Sequence, residues 1–172
     1  MSADRLTIRP VTGADHGAIW DILKPVYRAG ETYCIPRDIT REDAIADWLA
    51  PPFSAFVAEA EGEILGLSHI GANRPGGGDH VANAGFATSP AARGRGVARA
   101  LCRHAKDWAA AQGFRAMQFN FVVSTNADAV HLWQSEGFEI VGRLPGAFAH
   151  PAHGYVDALV MFSPLLLRKN TQ

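Results

Sequence analysis

A short loop rich in glycine and arginine, residues 92–98, has the sequence Ala-Arg-Gly-Arg-Gly-Val-Ala and constrains the fold most strongly. It lies between a predicted strand at 81–88, which Ser89-Pro90 ends, and a predicted helix from about Gly96 to Gln112. A glycine-rich turn that opens a helix leaves backbone N–H groups without partners, and the helix dipole adds positive potential there. The loop therefore predicts a site that holds a pyrophosphate mainly on backbone groups.

The rest of the chain predicts helices interspersed among strands, with three consecutive strands in the middle. The predicted strands are 6–9, 55–60, 64–70, 81–88, 116–122, 139–144 and 155–162, and the predicted helices are 16–27, 40–49, 96–112 and 126–136. Glu61-Gly62 predicts a tight hairpin turn, and Gly113 and Gly137 predict helix ends. This order predicts an α/β fold with a mixed sheet covered by helices on both faces, in one domain spanning 1–172 with a flexible tail from about 167.

Composition excludes several classes of protein. The chain has 172 residues, a hydrophobic fraction of 48% and a net charge of -1, so we expect a folded protein and no general affinity for nucleic acid. It has no apolar run long enough to span a membrane. Cys34 and Cys102 are expected to be free thiols in a reducing compartment, which indicates the cytoplasm. RNA binding by Arg93, Arg95, Arg99 and Arg103 stays as an alternative, which steep salt dependence would reveal.

The loop resembles the coenzyme A signature of the GCN5-related N-acetyltransferase (GNAT) family: Arg or Gln, two residues, Gly, one residue, then Gly or Ala. Arg93, Gly96 and Ala98 match it. The loop lacks the Gly-Lys-Ser/Thr ending of a nucleotide P-loop and the three-glycine dinucleotide fingerprint. The resemblance implies acetyl-coenzyme A as cosubstrate and no metal. The cofactor-binding residues it implies are Phe86, Ala87, Thr88, Arg93, Gly94, Arg95, Gly96, Val97, Ala98, Asn126 and Trp133.

A second segment, 126–138, resembles the second signature of the family, in which an asparagine opens a helix that ends in Gly-Phe. The resemblance further implies that a mostly antiparallel sheet splays between its fourth and fifth strands, where the N–H groups of 85–88 bind the acyl carbonyl. Many relatives carry an acidic tyrosine where this chain has Trp133, and an indole N–H cannot protonate a thiolate, so either another group does this or the thiolate departs toward solvent. Core packing is an alternative role for Trp133.

Two asparagines are predicted on the polar face around that opening. Asn83 alternates with Gly85 on the fourth predicted strand, and Asn120 lies near the end of the fifth, where Met117, Phe119 and Phe121 are expected to point the other way. Asparagine disfavours strands and must be hydrogen-bonded if buried, so each either contacts a ligand or bridges the gap in the sheet.

The same residues resemble a subgroup of the family that acetylates toxic proline analogues of the azetidine-2-carboxylate kind. That resemblance implies that Asn83 binds the acceptor carboxylate, that Asn120 orients the reacting centre, and that both are catalytic as well as substrate-binding. Tyr33 is a further substrate-binding candidate, with a loop anchor as the alternative. No base stands out among His69, His80, His150 and His153.

The sequence thus predicts an N-acetyltransferase whose partner is a small-molecule amine, attacked directly in a ternary complex, with no nucleic acid and no membrane as partners. A protein or peptide acceptor and a catalytically silent coenzyme A-binding module are the alternatives. Members of the family commonly dimerise through their last strands, and the sequence leaves open whether this chain forms a homodimer.

Overall fold

The computed structural model describes residues 6–166. Within this range the elements follow the order predicted from the sequence, and the predicted tail from 167 lies outside it. They are β1 (Thr7–Pro10), α1 (His16–Ala29), α2 (Arg41–Trp48), β2 (Ser54–Ala60), β3 (Glu63–Ala72), β4 (Val81–Thr88), α3 (Val97–Ala111), β5 (Ala116–Val123), α4 (Ala127–Ser135), β6 (Glu139–His150) and β7 (Gly154–Pro164). No helix of this part of the chain is both long and apolar enough to cross a membrane.

The strands form a sheet in the order β1-β2-β3-β4-β5-β7-β6. Neighbouring strands are antiparallel except for β4 and β5, which are parallel. These two strands pair only through Val81 with Ala116 and Ala82 with Met117, after which they separate. The predicted mixed, mostly antiparallel sheet, splayed between its fourth and fifth strands, is confirmed.

Helices cover both faces of the sheet, as predicted. Successive residues of β2 point to opposite faces, so Val57 packs with Ile19 of α1 and Trp48 of α2, while Phe56 packs with Ala105 of α3. The second face also buries Trp133 of α4. The core therefore has one apolar layer on each face of the sheet. The packing of α3 in one of these layers fixes the position at which the loop 92–98 leads into α3.

The turn between β2 and β3 is the predicted one. Glu61 has a φ of 53° and Gly62 a φ of 81°, so both central residues are left-handed, as a two-residue hairpin requires. Glycine adopts this conformation without steric cost, which explains the glycine at position 62.

Two strand predictions were wrong in detail. The strand predicted at 139–144 continues to His150, because a register shift between Leu144 and Phe148 carries β6 past Pro145. Phe121 does not share a face with Phe119, because another shift between Phe119 and Val122 interrupts the alternation of β5. Val122 joins the buried core instead, and Phe121 lies against Phe148 with ring centroids 6.2 Å apart.

Candidate active site

A cavity of about 580 Å³ opens where β4 and β5 separate. Its wall comes mainly from these two strands, from the start of α3, from α4 and from the segment between α1 and α2, and β3 adds His69. It brings together most of the predicted site residues, namely Tyr33, Asn83, Phe86, Ala87, Thr88, Ala98, Asn120, Asn126 and Trp133. Residues far apart in the sequence thus meet where β4 and β5 are no longer paired.

The main chain of β4 faces this cavity at Phe86. The Tyr33 hydroxyl donates to the Phe86 carbonyl oxygen (2.5 Å) and accepts from the Phe86 N–H (3.1 Å). Since backbone groups alternate in direction along a strand, Ala84 and Thr88 present their N–H groups to the same side, whereas Gly85 and Ala87 face β3. Of the N–H groups expected at 85–88 to bind an acyl carbonyl, that of Phe86 is held by Tyr33 in this structure.

The burial of Tyr33 keeps its hydroxyl neutral. Desolvation raises the pKa of Tyr33 to about 12, and the hydrogen bond to the Phe86 backbone opposes that shift. The ring packs edge-on against Tyr27 and Trp48. Tyr33 is therefore fixed both as a wall of the cavity and as an anchor of the segment between α1 and α2.

The loop 92–98, for which the sequence predicts a pyrophosphate site, leads into α3 beside the cavity. Gly94 and Gly96 have φ angles of 74° and 72°, and a Cβ added to either would meet nothing within 4 Å. Val97 is buried and fixes the start of α3, while Arg93 is exposed. The first N–H groups of α3 have no acceptor within the helix, so the loop can hold an anion.

Arg99, in the first turn of α3, is paired with a carboxylate. It forms an ion pair with Glu136, which also accepts from Arg103 at 2.9 Å. Arg103 and then Arg99 hold the pKa of Glu136 below its ordinary value. The positive charge of Arg99 is thus largely compensated by a carboxylate at the end of α4.

The three asparagines of the cavity differ in whether their side chains have hydrogen-bond partners within the protein. Asn120 donates to the side chain of Asn73 (2.6 Å) and accepts from Gln118 (2.9 Å), so it bridges the gap in the sheet. Asn83 and Asn126 line the cavity, and neither side chain has a hydrogen-bond partner within residues 6–166. Asn126 begins α4 without a side-chain capping bond, which leaves its amide available to a ligand.

Trp133 both lines the cavity and packs in the core. Its side chain is 8% exposed and lies 5.0 Å from Phe86 and 5.2 Å from Phe119, measured between ring centroids. It therefore separates the cavity from the apolar layer beneath α4.

His69 is a site residue that the sequence did not distinguish. It lines the cavity, and its Nδ1 lies 2.9 Å from the Trp48 carbonyl oxygen. The ring is stacked between Trp48 and Phe53, at 4.0 and 4.5 Å between centroids. These contacts join residues of three separate segments, so no local pattern around His69 could have indicated them.

The chain is similar to a known protein family and to solved structures. The profile described as "Acetyltransferase (GNAT) family" matches residues 16–138. The structure of a GCN5-related N-acetyltransferase from Kribbella flavida is 48% identical, covers 93% of this chain and 98% of its own, and superposes with a TM-score of 0.89. The phosphinothricin acetyltransferase of Sinorhizobium meliloti in complex with AcCoA is 22% identical, covers 97% and 92%, and has a TM-score of 0.82, so it shows a shared fold.

A curated relative is the N-acetyltransferase aca1 of Schizosaccharomyces pombe. It is 33% identical over 112 residues, which are 64% of this chain and 54% of the relative. The chain thus spans about half the length of that relative.

Proposed function

The chain belongs to the acetyltransferase (GNAT) family, and from that premise we propose that it transfers an acetyl group from acetyl-coenzyme A to the amine of a small molecule by direct attack in a ternary complex. The observation that supports this most is the early separation of β4 and β5. It exposes a main-chain edge to a cavity of about 580 Å³, large enough for the reacting ends of two small molecules.

The residues present fit acetyl-coenzyme A. The open backbone of Gly94 and Gly96 and the start of α3 suit its pyrophosphate, and the unpaired amide of Asn126 suits the polar arm that follows. The N–H groups of Ala84 and Thr88 point to the intervening cavity. When bound, this cosubstrate supplies an acyl group activated as a thioester.

The protein contributes mainly alignment and backbone hydrogen bonds. N–H groups fixed along β4 cost no reorganisation when a carbonyl oxygen gains negative charge, so such donors stabilise a transition state efficiently. Bringing amine and thioester together in one cavity removes much of the entropic barrier. Trp133 lies where a proton donor is common in the family, but its indole is no acid. Of the two alternatives, another protein group or solvent, we propose that water protonates the departing thiolate.

We further propose that the acceptor is an amino acid or a toxic analogue, such as a cyclic imino acid related to proline. The free amide of Asn83 supports this, because it can donate to a carboxylate. Asn120, held by Asn73 and Gln118, would orient the reacting centre, with Tyr33 as the opposite wall. Among the residues that line the cavity in the described part of the chain none is Arg or Lys, so a carboxylate here would be recognised by amides.

The test is thiol release from acetyl-coenzyme A with a panel of proline analogues, other amino acids, amines without a carboxylate, polyamines and short peptides. We expect turnover of a small amino acid, with Asn83→Ala raising KM at least tenfold, because a hydrogen bond to a charged group is lost. Gln112→Ala, an exposed amide outside the cavity, should match the wild type. Turnover of peptides alone would point to a protein acceptor, and tight coenzyme binding without turnover would point to a silent module.

Two further parts of the proposal concern the whole protein. Both cysteines are free, which supports a reducing compartment such as the cytoplasm. The edge strand β6 exposes Ile140, Val141 and Leu144, which supports a homodimer through the last strands.

A further inference from the structure

We propose that His69 is the general base of the acetyl transfer, accepting the proton of the acceptor amine on Nε2. The inference rests on the proposed function and names a residue for a role that the fold and the motifs leave unassigned.

The tautomer of His69 follows from its contact with α2. A carbonyl oxygen only accepts, so the Nδ1 atom 2.9 Å from the Trp48 oxygen must carry the hydrogen. In a neutral imidazole the other nitrogen, Nε2, then has a free lone pair. The backbone of α2 thus fixes the form of histidine that can act as a base.

The position of Nε2 follows from the pairing of β3 with β4. His69 lies opposite Gly85, and a Cβ added to Gly85 would fall 2.5 Å from Nε2. Gly85 therefore leaves the space that the ring fills. Nε2 has no hydrogen-bond partner among residues 6–166 and is not sealed from solvent, and both His69 and Gly85 line the cavity.

The ring is held rigidly in that position. It is nearly parallel to Trp48, with a 6° angle between the planes, and Phe53 covers its other side. A general base needs a fixed orientation toward the proton that it removes, and stacking on both faces supplies this.

The surroundings of His69 keep it neutral. The charged group that acts on it is Asp47 of α2, and Tyr33 lines the same cavity, whereas β2 and β4 place Ala55 and Gly85 beside it. Burial lowers the pKa of His69, and the hydrogen bond to Trp48 and the charge of Asp47 oppose that shift only in part. The base is therefore in its active form at neutral pH.

The proposed step transfers the acetyl group to the amine and moves the amine proton to His69. The amine nitrogen forms a bond to the acyl carbon, the carbon–sulfur bond breaks, and coenzyme A leaves as a thiolate that takes a proton from water. As the new bond forms the nitrogen becomes acidic, and its proton passes to Nε2 of His69, which releases it to water after the product leaves.

The first test needs no turnover. Nitrogen-15 NMR of the histidine rings in the wild-type protein at pH 7 should show His69 protonated on Nδ1 and bare on Nε2. A neutral His69 that carries its proton on Nε2 would overturn the proposal, because that nitrogen could not accept another.

The second test compares His69→Asn with the wild type. Asparagine can keep a donor near the Trp48 oxygen but has no base, so we expect kcat to fall about hundredfold at pH 7, with the Kd of acetyl-coenzyme A changed less than threefold. The wild-type kcat should decline when the pH falls below the ordinary range of histidine pKa values. The kcat of the variant should not show this decline on the acid side of its pH profile. His80→Asn, an exposed histidine outside the cavity, should retain wild-type kcat and this decline.

A His69→Asn enzyme with the kcat and acid limb of the wild type would overturn the assignment while leaving the acetyltransferase intact. Wild-type protein that acetylates no amine would instead overturn the proposed function itself. Should His69→Asn fail to fold, the NMR result on the wild type still decides the tautomer on which the proposal depends.

Discussion

At the scale of single residues, Asp15 shows how a buried charge is stabilised. Its carboxylate accepts from Arg9 (2.8 and 3.0 Å) and from the N–H and hydroxyl of Thr12 (2.7 and 3.0 Å). The hydrogen bonds from Arg9 hold the pKa of Asp15 well below its ordinary range. A carboxyl whose folded-state pKa is depressed stabilises the fold above its unfolded pKa of about 3.9 and loses that contribution as pH falls.

We therefore expect Asp15→Asn to lower the free energy of unfolding by about 2 kcal/mol at pH 7, since charged hydrogen bonds are lost. The gap between variant and wild type should shrink at pH 3, which urea unfolding at both pH values measures. Asp38→Asn, an exposed acid, is the control and should have little effect at either pH. An equal gap at pH 3 and pH 7 would show that ionisation is not the source of the stability.

Tyr33 gives the second prediction at this scale. Its hydroxyl holds the Phe86 N–H, so Tyr33→Phe should free that donor and lower the Kd of acetyl-coenzyme A about fivefold, the value of one neutral hydrogen bond. Calorimetric titration measures this, with Tyr155→Phe as the control because Tyr155 is 83% exposed. Weaker binding by Tyr33→Phe would mean that the hydroxyl itself contributes to the cosubstrate site.

At the scale of elements, one carboxylate joins α3 to α4. Glu136 accepts from Arg99 and Arg103 of α3, and Lys106 donates to its backbone oxygen at 2.7 Å. The Glu136 side chain is only 7% exposed. The start of α3 carries the proposed anion site, and α4 begins at the cap residue Asn126, so this contact fixes two parts of the proposed site relative to each other.

We expect Glu136→Gln to lower the Tm by about 3–6 °C, because the buried side chain loses the negative charge that pairs with two arginines and one of its two acceptor oxygens. Glu139→Gln, an exposed acid three residues away on β6, should leave the Tm unchanged. Thermal unfolding followed by circular dichroism measures both. Equal Tm values for the two variants would contradict the role given to Glu136.

Local sequence patterns predicted the helices and strands well, but they could not predict contacts between residues that are far apart in the sequence. Gly94 and Gly96 predicted an open turn before α3, and their φ angles of 74° and 72° are ones that glycine adopts without steric cost. The contact of Tyr33 with Phe86 joins residues 53 apart, and that of His69 with Trp48 joins residues 21 apart. Neither leaves a local signal, so the sequence named Tyr33 only through resemblance and left His69 undistinguished.

At the scale of the whole molecule, the last strands carry the clearest apolar surface. Val141 is 58% exposed and Tyr155 83% exposed, and β6 has no neighbouring strand on its outer side within residues 6–166. Exposed apolar residues on an unpaired edge favour association.

We expect light scattering to give twice the mass of the chain, and Val141→Asp to give the mass of one chain, because a carboxylate would be desolvated in the contact. Ala14→Asp, an exposed position near the start of α1, should remain dimeric. A wild-type protein that stays monomeric at high concentration would remove the dimer from the proposal.

Because β4 and β5 separate, a ligand in the cavity would lie between two strands of the sheet. The sheet is a four-stranded half and a three-stranded half that share two residue pairs, Val81 with Ala116 and Ala82 with Met117. A ligand that contains amide groups can form hydrogen bonds with the exposed main chain of β4, in the way that an added strand does. A ligand that binds only the folded state raises the free energy of unfolding. A ligand in this gap would also link the two halves of the sheet, so the increase in the free energy of unfolding would measure how much of the protein is occupied.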